Sequence, residues 1–124
     1  MSQILAIAGG GAIGAVLRYL VSNSAYDLLG KDFPYGTLVV NVIGSLLMGF
    51  LAIWLLERTF GGTALRAFLL IGLLGSFTTF SAFSLETLNL MENGQLLSAL
   101  SNALLSVVLC VMAAGLGVIL ARQL

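Results

Sequence analysis

The sequence predicts an all-α integral membrane protein with four transmembrane helices, the third of them broken at mid-membrane depth. Three observations point there. Of 124 residues, 60% are hydrophobic and only 8% charged, whereas a soluble domain carries about 25% charged residues. Five Lys and Arg balance five Asp and Glu, and the mean hydropathy is +1.12. The charges also cluster, leaving uncharged runs at 33–56, 67–85 and 93–121. Each run approaches or exceeds the roughly 20 residues that cross ~30 Å of hydrocarbon.

The same arithmetic excludes several chemistries. Zero net charge removes an electrostatic case for nucleic-acid binding. Without histidine, and with Cys110 alone, no ordinary zinc or haem site and no Ser-His-Asp or Cys-His catalysis can be assembled. Cys110 sits in an apolar run and says nothing about redox compartment. A single membrane domain over 1–124 is expected, its apolar faces in lipid.

The first helix is expected over 3–29. No Lys or Arg precedes Arg18, so it reads as a retained membrane segment rather than a signal peptide. Gly10 and Gly14 form a GxxxG, repeated one residue on by Gly11 and Ala15, a spacing that lets helix backbones approach closely in lipid. Arg18 lies ~22 Å along this helix at 1.5 Å per residue. It either snorkels to the interface beside Tyr19 or lines a watery vestibule, where a fixed cation would concentrate anions.

The next turn, 30–36, contains Pro34, the only proline. The second helix is expected over 36–57, with Asn41 and Ser45 on one face and Ser45 and Gly49 as another small pair. Residues 59–63, with paired glycines, form the second turn.

The third helix, 65–90, carries Gly72, Gly75, Thr78 and Thr79 where leucine would be the cheap choice. Helix propensity is poor there. The chain either breaks, leaving carbonyls that suit a cation, or continues with hydroxyls bonded back to its own backbone. Phe80 and Phe83 are neighbours on one face. They either pack plainly or present electropositive ring edges to a small, hard, strongly hydrated anion. In the second case Asn41, Ser81 and Ser84 are nearby donors. After the turn at 92–94, the fourth helix is expected over 96–121. Its stripe of Ser98, Asn102, Ser106 and Cys110 serves either interhelical hydrogen bonding or an ion track.

With four spans, Arg58, Arg66 and Arg122 are expected to share one side and Lys31 the other, joined by Arg18 if it snorkels that way. This weak bias permits both orientations. Four thin helices are too few to surround a pore alone, so an oligomer is favoured.

Three blocks of the sequence, 11–19, 36–45 and 75–86, occur in this order in a four-span chain. In them the chain resembles the Fluc (CrcB) fluoride channels over essentially its whole length. The resemblance implies an antiparallel, dual-topology homodimer in the bacterial inner membrane, exporting fluoride passively through two pores. It implies that Phe80 and Phe83 line the fluoride path by their ring edges, with Asn41 as a pore-facing amide. Gly75 and Thr78 are implied to hold a structural sodium ion by backbone carbonyls at the dimer interface. Arg18 corresponds to a basic residue near the vestibule, and Asn102, Ser106 and Cys110 to a polar track on the fourth helix. Asn102 and Cys110 depart from the family's usual hydroxyls, and Ala82 replaces the usual threonine between the phenylalanines. A small multidrug-type proton-coupled exporter, the main alternative, needs an acid in the first helix, and residues 3–26 contain none.

Overall fold

The computed structural model describes residues 1–57 and 62–124. Arg58, and Thr59, Phe60 and Gly61 of the second turn, lie outside the described residues. Among the described residues, four helical spans are long and apolar enough to cross a membrane: Ser2–Leu29, Tyr35–Glu57, Gly62–Glu92 and Leu96–Gln123. The first is α1, the second α2 and the last α6. The third is composite: α3 (Gly62–Arg66), a π-helical segment (Ala67–Leu74), α4 (Gly75–Phe77), an interruption at Thr78 and Thr79, and α5 (Phe80–Glu92).

Local chemistry sets the ends. Gly30 closes α1 at φ 98°, its N–H bonding to the Tyr26 carbonyl at 2.9 Å. Pro34 precedes α2 and lends its carbonyl to the Leu38 N–H at 3.2 Å. Gly94, at φ 78°, turns the chain between α5 and α6, and the Gln95 N–H reaches back to the Leu90 carbonyl at 2.8 Å. Glycine tolerates these positive φ angles without steric cost.

The helices pack as a ring. The first half of the third span lies on α1, α1 on α2, α2 on α6, and α6 on α5. The interruption therefore lets one span pack its two halves against different neighbours. The α1 contact is as close as backbones allow. A Cβ at Gly14 would collide with the Leu73 carbonyl, and one at Gly72 would stand 2.7 Å from the carbonyl of Ile7. The GxxxG of α1 is thus seated on the π-helical segment. This segment was not foreseen, because apart from Gly72 the residues Ala67–Leu74 read as a plain apolar helix.

Candidate functional site

At the interruption the backbone runs extended through Thr78 (φ −85°, ψ 157°) and Thr79 (φ −150°, ψ 118°). Extended residues leave the helical ladder, and unpaired N–H or C=O groups cost several kcal/mol in hydrocarbon. Side chains meet that cost here. The Asn41 amide behaves like a strand of backbone: its Oδ1 accepts from the Thr79 N–H at 2.7 Å, and its Nδ2 donates to the Thr79 carbonyl at 3.0 Å. Thr79 Oγ1 then caps α5 by accepting from the Ala82 N–H at 3.2 Å. Thr78 donates through both its N–H and Oγ1 to the Leu74 carbonyl, at 3.1 and 3.0 Å. Breakage and back-bonding coexist, rather than excluding one another.

The interruption releases several carbonyls from the helical ladder, those of Gly75 and Thr78 among them. A continuous helix would pair the Gly75 C=O with the Thr79 N–H, and the Thr78 C=O with the Ala82 N–H. Both donors are diverted, one to Asn41 Oδ1 and the other to Thr79 Oγ1. Gly75 is exposed and Thr78 half-buried, so this oxygen-rich edge lies near the bundle surface.

A cavity lies on each side of the interruption, and Thr79 borders both. The first, about 420 Å³, is walled by α2, α5 and α6; Asn41, Thr78, Phe80, Phe83, Ser106 and Cys110 contribute to it. The rings of Phe80 and Phe83 stand 5.4 Å apart, tilted by 43°, and Phe80 is 78% exposed. The second, about 440 Å³, holds Arg18, Tyr19, Ser22, Tyr26, Thr37 and Glu86 around Thr79 and Ala82. Thr37 Oγ1 donates to Glu86 Oε1 at 2.7 Å, while the buried Glu86 Oε2 has no hydrogen-bond partner among the described residues.

The comparisons with known proteins now bear on this geometry. A family model described as CrcB-like protein, Camphor Resistance (CrcB), matches residues 5–118. This chain belongs to the CrcB family. Among its relatives is a protein of Coxiella burnetii, 56% identical over 125 residues and covering 100% of both chains. Another, of Geobacter sulfurreducens, is 50% identical over 124 residues, again covering 100% of both. A third, of Methylococcus capsulatus, is 55% identical over 122 residues, which are 98% of this chain but 54% of that one; this chain spans about half that relative's length. All three are named fluoride-specific ion channel FluC.

The remaining candidates in this CrcB chain are distributed as follows. Ser81 and Ser84 are exposed on α5 and border neither cavity. Ser84 Oγ donates to the Phe80 carbonyl at 2.9 Å, and Ser81 Oγ lies 3.4 Å from Thr79 Oγ1. Asn102, 2% exposed, lies between α6 and α5 and donates to Thr87 Oγ1 at 2.9 Å. Three site residues were not foreseen: Thr37, Thr79 as cap and clamp partner, and Thr87. Thr37 extends the four-residue spacing of Asn41 and Ser45 one turn earlier, and Thr87 stands four residues after Phe83. Those spacings are the signals that reveal them.

Proposed function

We propose that this chain is a fluoride-selective channel of the bacterial inner membrane, giving passive export through two pores of an antiparallel homodimer. One observation carries the reading. Relatives named fluoride-specific ion channels match the whole chain at 50–56% identity, and the 75–86 block that carries the resemblance begins at an interruption between two cavities. Fluoride enters an acid-exposed cell as neutral HF and ionises inside, so a passive anion conduit lets it leave down its gradient.

The route follows from the chemistry of the walls. Arg18 offsets the Glu86 carboxylate in its cavity and draws anions towards the interruption. Beyond Thr79 the anion sheds water, and the replacements are the ring edges of Phe80 and Phe83 together with polar hydrogens. One amide hydrogen of Asn41 remains after its bond to Thr79, and Ser106 and Cys110 face the same space. Ser81 and Ser84 belong to the path where a second copy covers the exposed face of α5.

The freed carbonyls of Gly75 and Thr78 fit a sodium ion. They are hard oxygen donors released from the helical ladder and directed to an accessible edge. Two such pairs, one from each copy, make a four-oxygen site at the dimer interface. The ion supplies positive charge that ties the copies together.

Fluoride efflux from liposomes, followed with a fluoride electrode and chloride as control, tests the function. Selective fluoride release is expected; no release, or equal chloride release, overturns it. Phe80→Ile and Phe83→Ile should each slow efflux about tenfold, the worth of a lost quadrupole contact. Unchanged efflux in both assigns the rings to packing. A single tag reachable from both membrane faces supports dual topology, and labelling from one face alone removes it.

A further inference from the structure

We infer that Asn102 is a positioning residue that never touches the anion: with Thr87 it forms a one-way hydrogen-bond relay that holds the Ser106 hydroxyl proton until an anion takes it. The inference rests on the proposed anion path for its ligand, but the relay itself is read from three bonds. Thr87 Oγ1 donates to the Phe83 carbonyl at 2.7 Å. A carbonyl only accepts, and a hydroxyl has one hydrogen, so Thr87 is left with lone pairs alone.

The group of Asn102 that meets Thr87 at 2.9 Å must therefore be its NH₂. That fixes the amide orientation and turns Oδ1 towards Ser106, whose Oγ lies 3.5 Å away. Facing an acceptor, Ser106 is the donor. Every hydrogen in the series points the same way, from Ser106 through Asn102 and Thr87 to the backbone beside the Phe83 ring.

The bonds are graded in length, and the longest is the one at the cavity. Asn102 is 2% exposed, away from the path, whereas Ser106 borders the 420 Å³ cavity. A bond of 3.5 Å lies at the limit of useful geometry. A small anion arriving beside Ser106 offers a charge-assisted and therefore stronger bond, so the hydroxyl turns from Oδ1 to the anion and returns after it leaves. The relay also ties α6 to α5 at the level of Phe83, keeping donor and ring edge in register. A hydroxyl side chain at position 102 would have to donate to Thr87 and accept from Ser106 through a single oxygen, whereas the amide reaches the two partners with separate atoms, Nδ2 and Oδ1.

The test uses the full chain labelled with ¹⁵N-asparagine in detergent micelles, where the Asn102 side-chain amide reports the relay directly. Slow hydrogen exchange of one Asn102 amide proton is expected. Thr87→Val should abolish that protection and Thr87→Ser should restore it. Fluoride, but not chloride, should shift the Asn102 amide signal, and Ser106→Ala should remove the shift.

In liposome efflux, Thr87→Val and Asn102→Leu should each slow fluoride release about fivefold, the worth of one hydrogen bond. Their double variant should be no slower than the worse single, as expected for residues acting as a unit. Thr87→Ser should conduct like the parent chain. Unprotected Asn102 amide protons, a fluoride shift that survives Ser106→Ala, or losses that multiply in the double variant each overturn the relay. Loss of fluoride efflux in the parent chain with exchange protection intact overturns the anion path instead and strips the relay of its ligand.

Discussion

The α2–α6 pair and the stretch from Ala67 to Thr79 both lie at membrane depth, yet they handle their backbones oppositely. Helices α2 and α6 are uninterrupted, and small residues bring them together: a Cβ at Gly49 would collide with the Ala114 carbonyl, and one at Gly117 with that of Leu46. Their ladders are internal, so side chains are free for packing. From Ala67 onward the chain widens into a π-helix and then leaves the helix altogether. Leaving the helix calls on side chains, chiefly the Asn41 amide from α2 and the hydroxyl of Thr79 itself. Irregular backbone in lipid is possible only where side chains replace the lost bonds. The polar side chains Thr37 and Asn41 of α2 and Asn102 of α6 accordingly bond to the third span, while the α2–α6 seam is closed by Gly49 against Ala114 and Gly117 against Leu46.

The largest effect should come from breaking the irregular side of that contrast. Asn41→Leu preserves bulk but orphans the N–H and C=O of Thr79, which is 9% exposed. At about 1–3 kcal/mol for each buried unsatisfied group, the variant should lose roughly 2–6 kcal/mol and unfold at markedly lower temperature in detergent. Retained thermal stability would mean that the interruption supports itself without the amide. Ser45→Leu, one turn along the same helix but outside the Asn41–Thr79 clamp, is the matched control.

How much of this was legible in the sequence divides along the same line. The spans are marked by charge: Glu57, Glu92 and Arg122 stand at or next to the ends of the second, third and fourth, and Arg66 about a turn inside the third, so counting uncharged residues located them. The interruption was legible as paired threonines following Gly75, an arrangement poor in helix propensity. The π-helix was not, because Ala67–Leu74 has no polar or β-branched marker apart from Ile71; its register comes from the close seat on α1. Asn102 shows the other limit. Its place on a four-residue stripe assigned it a face of α6, but whether that face meets a cavity or α5 depends on helix rotation. Thr87 decides that on the opposite helix, beyond the reach of spacing within α6.

A middle-sized effect should come from the seat of α1 on the π-helix. Gly14→Ala places a methyl against the Leu73 carbonyl, which is backbone and cannot rotate aside. Overpacking of this kind costs about 1–3 kcal/mol. The thermal midpoint should fall while Asn41 keeps its hold on Thr79, so fluoride efflux per folded channel should stay near that of the parent chain. Equal loss of efflux and stability would show that the π-helix and the interruption move as one unit, which would remove the distinction drawn between packing and path.

The smallest effect should come from the regular side, and its sign is informative. Gly115 lies on α6 between the buried Gly117 and the half-buried Ala114, but it is exposed and a Cβ there would meet no atom within 4 Å. Gly115→Ala therefore gains helix propensity without a collision, up to about 0.8–1.0 kcal/mol on soluble scales. In lipid, where the ladder is already enforced by solvent, the gain should be smaller. A slight rise in thermal midpoint is expected, with unchanged efflux. A fall would mean that another backbone comes within a methyl's width of Gly115. Among the described residues nothing does, so the other backbone would belong to a second copy, and α6 would take part in the proposed dimer interface. The comparison would then turn on different ground: the glycines of the regular pair would serve two interfaces, one within the chain at Gly117 and one between chains at Gly115, two residues away on the same helix.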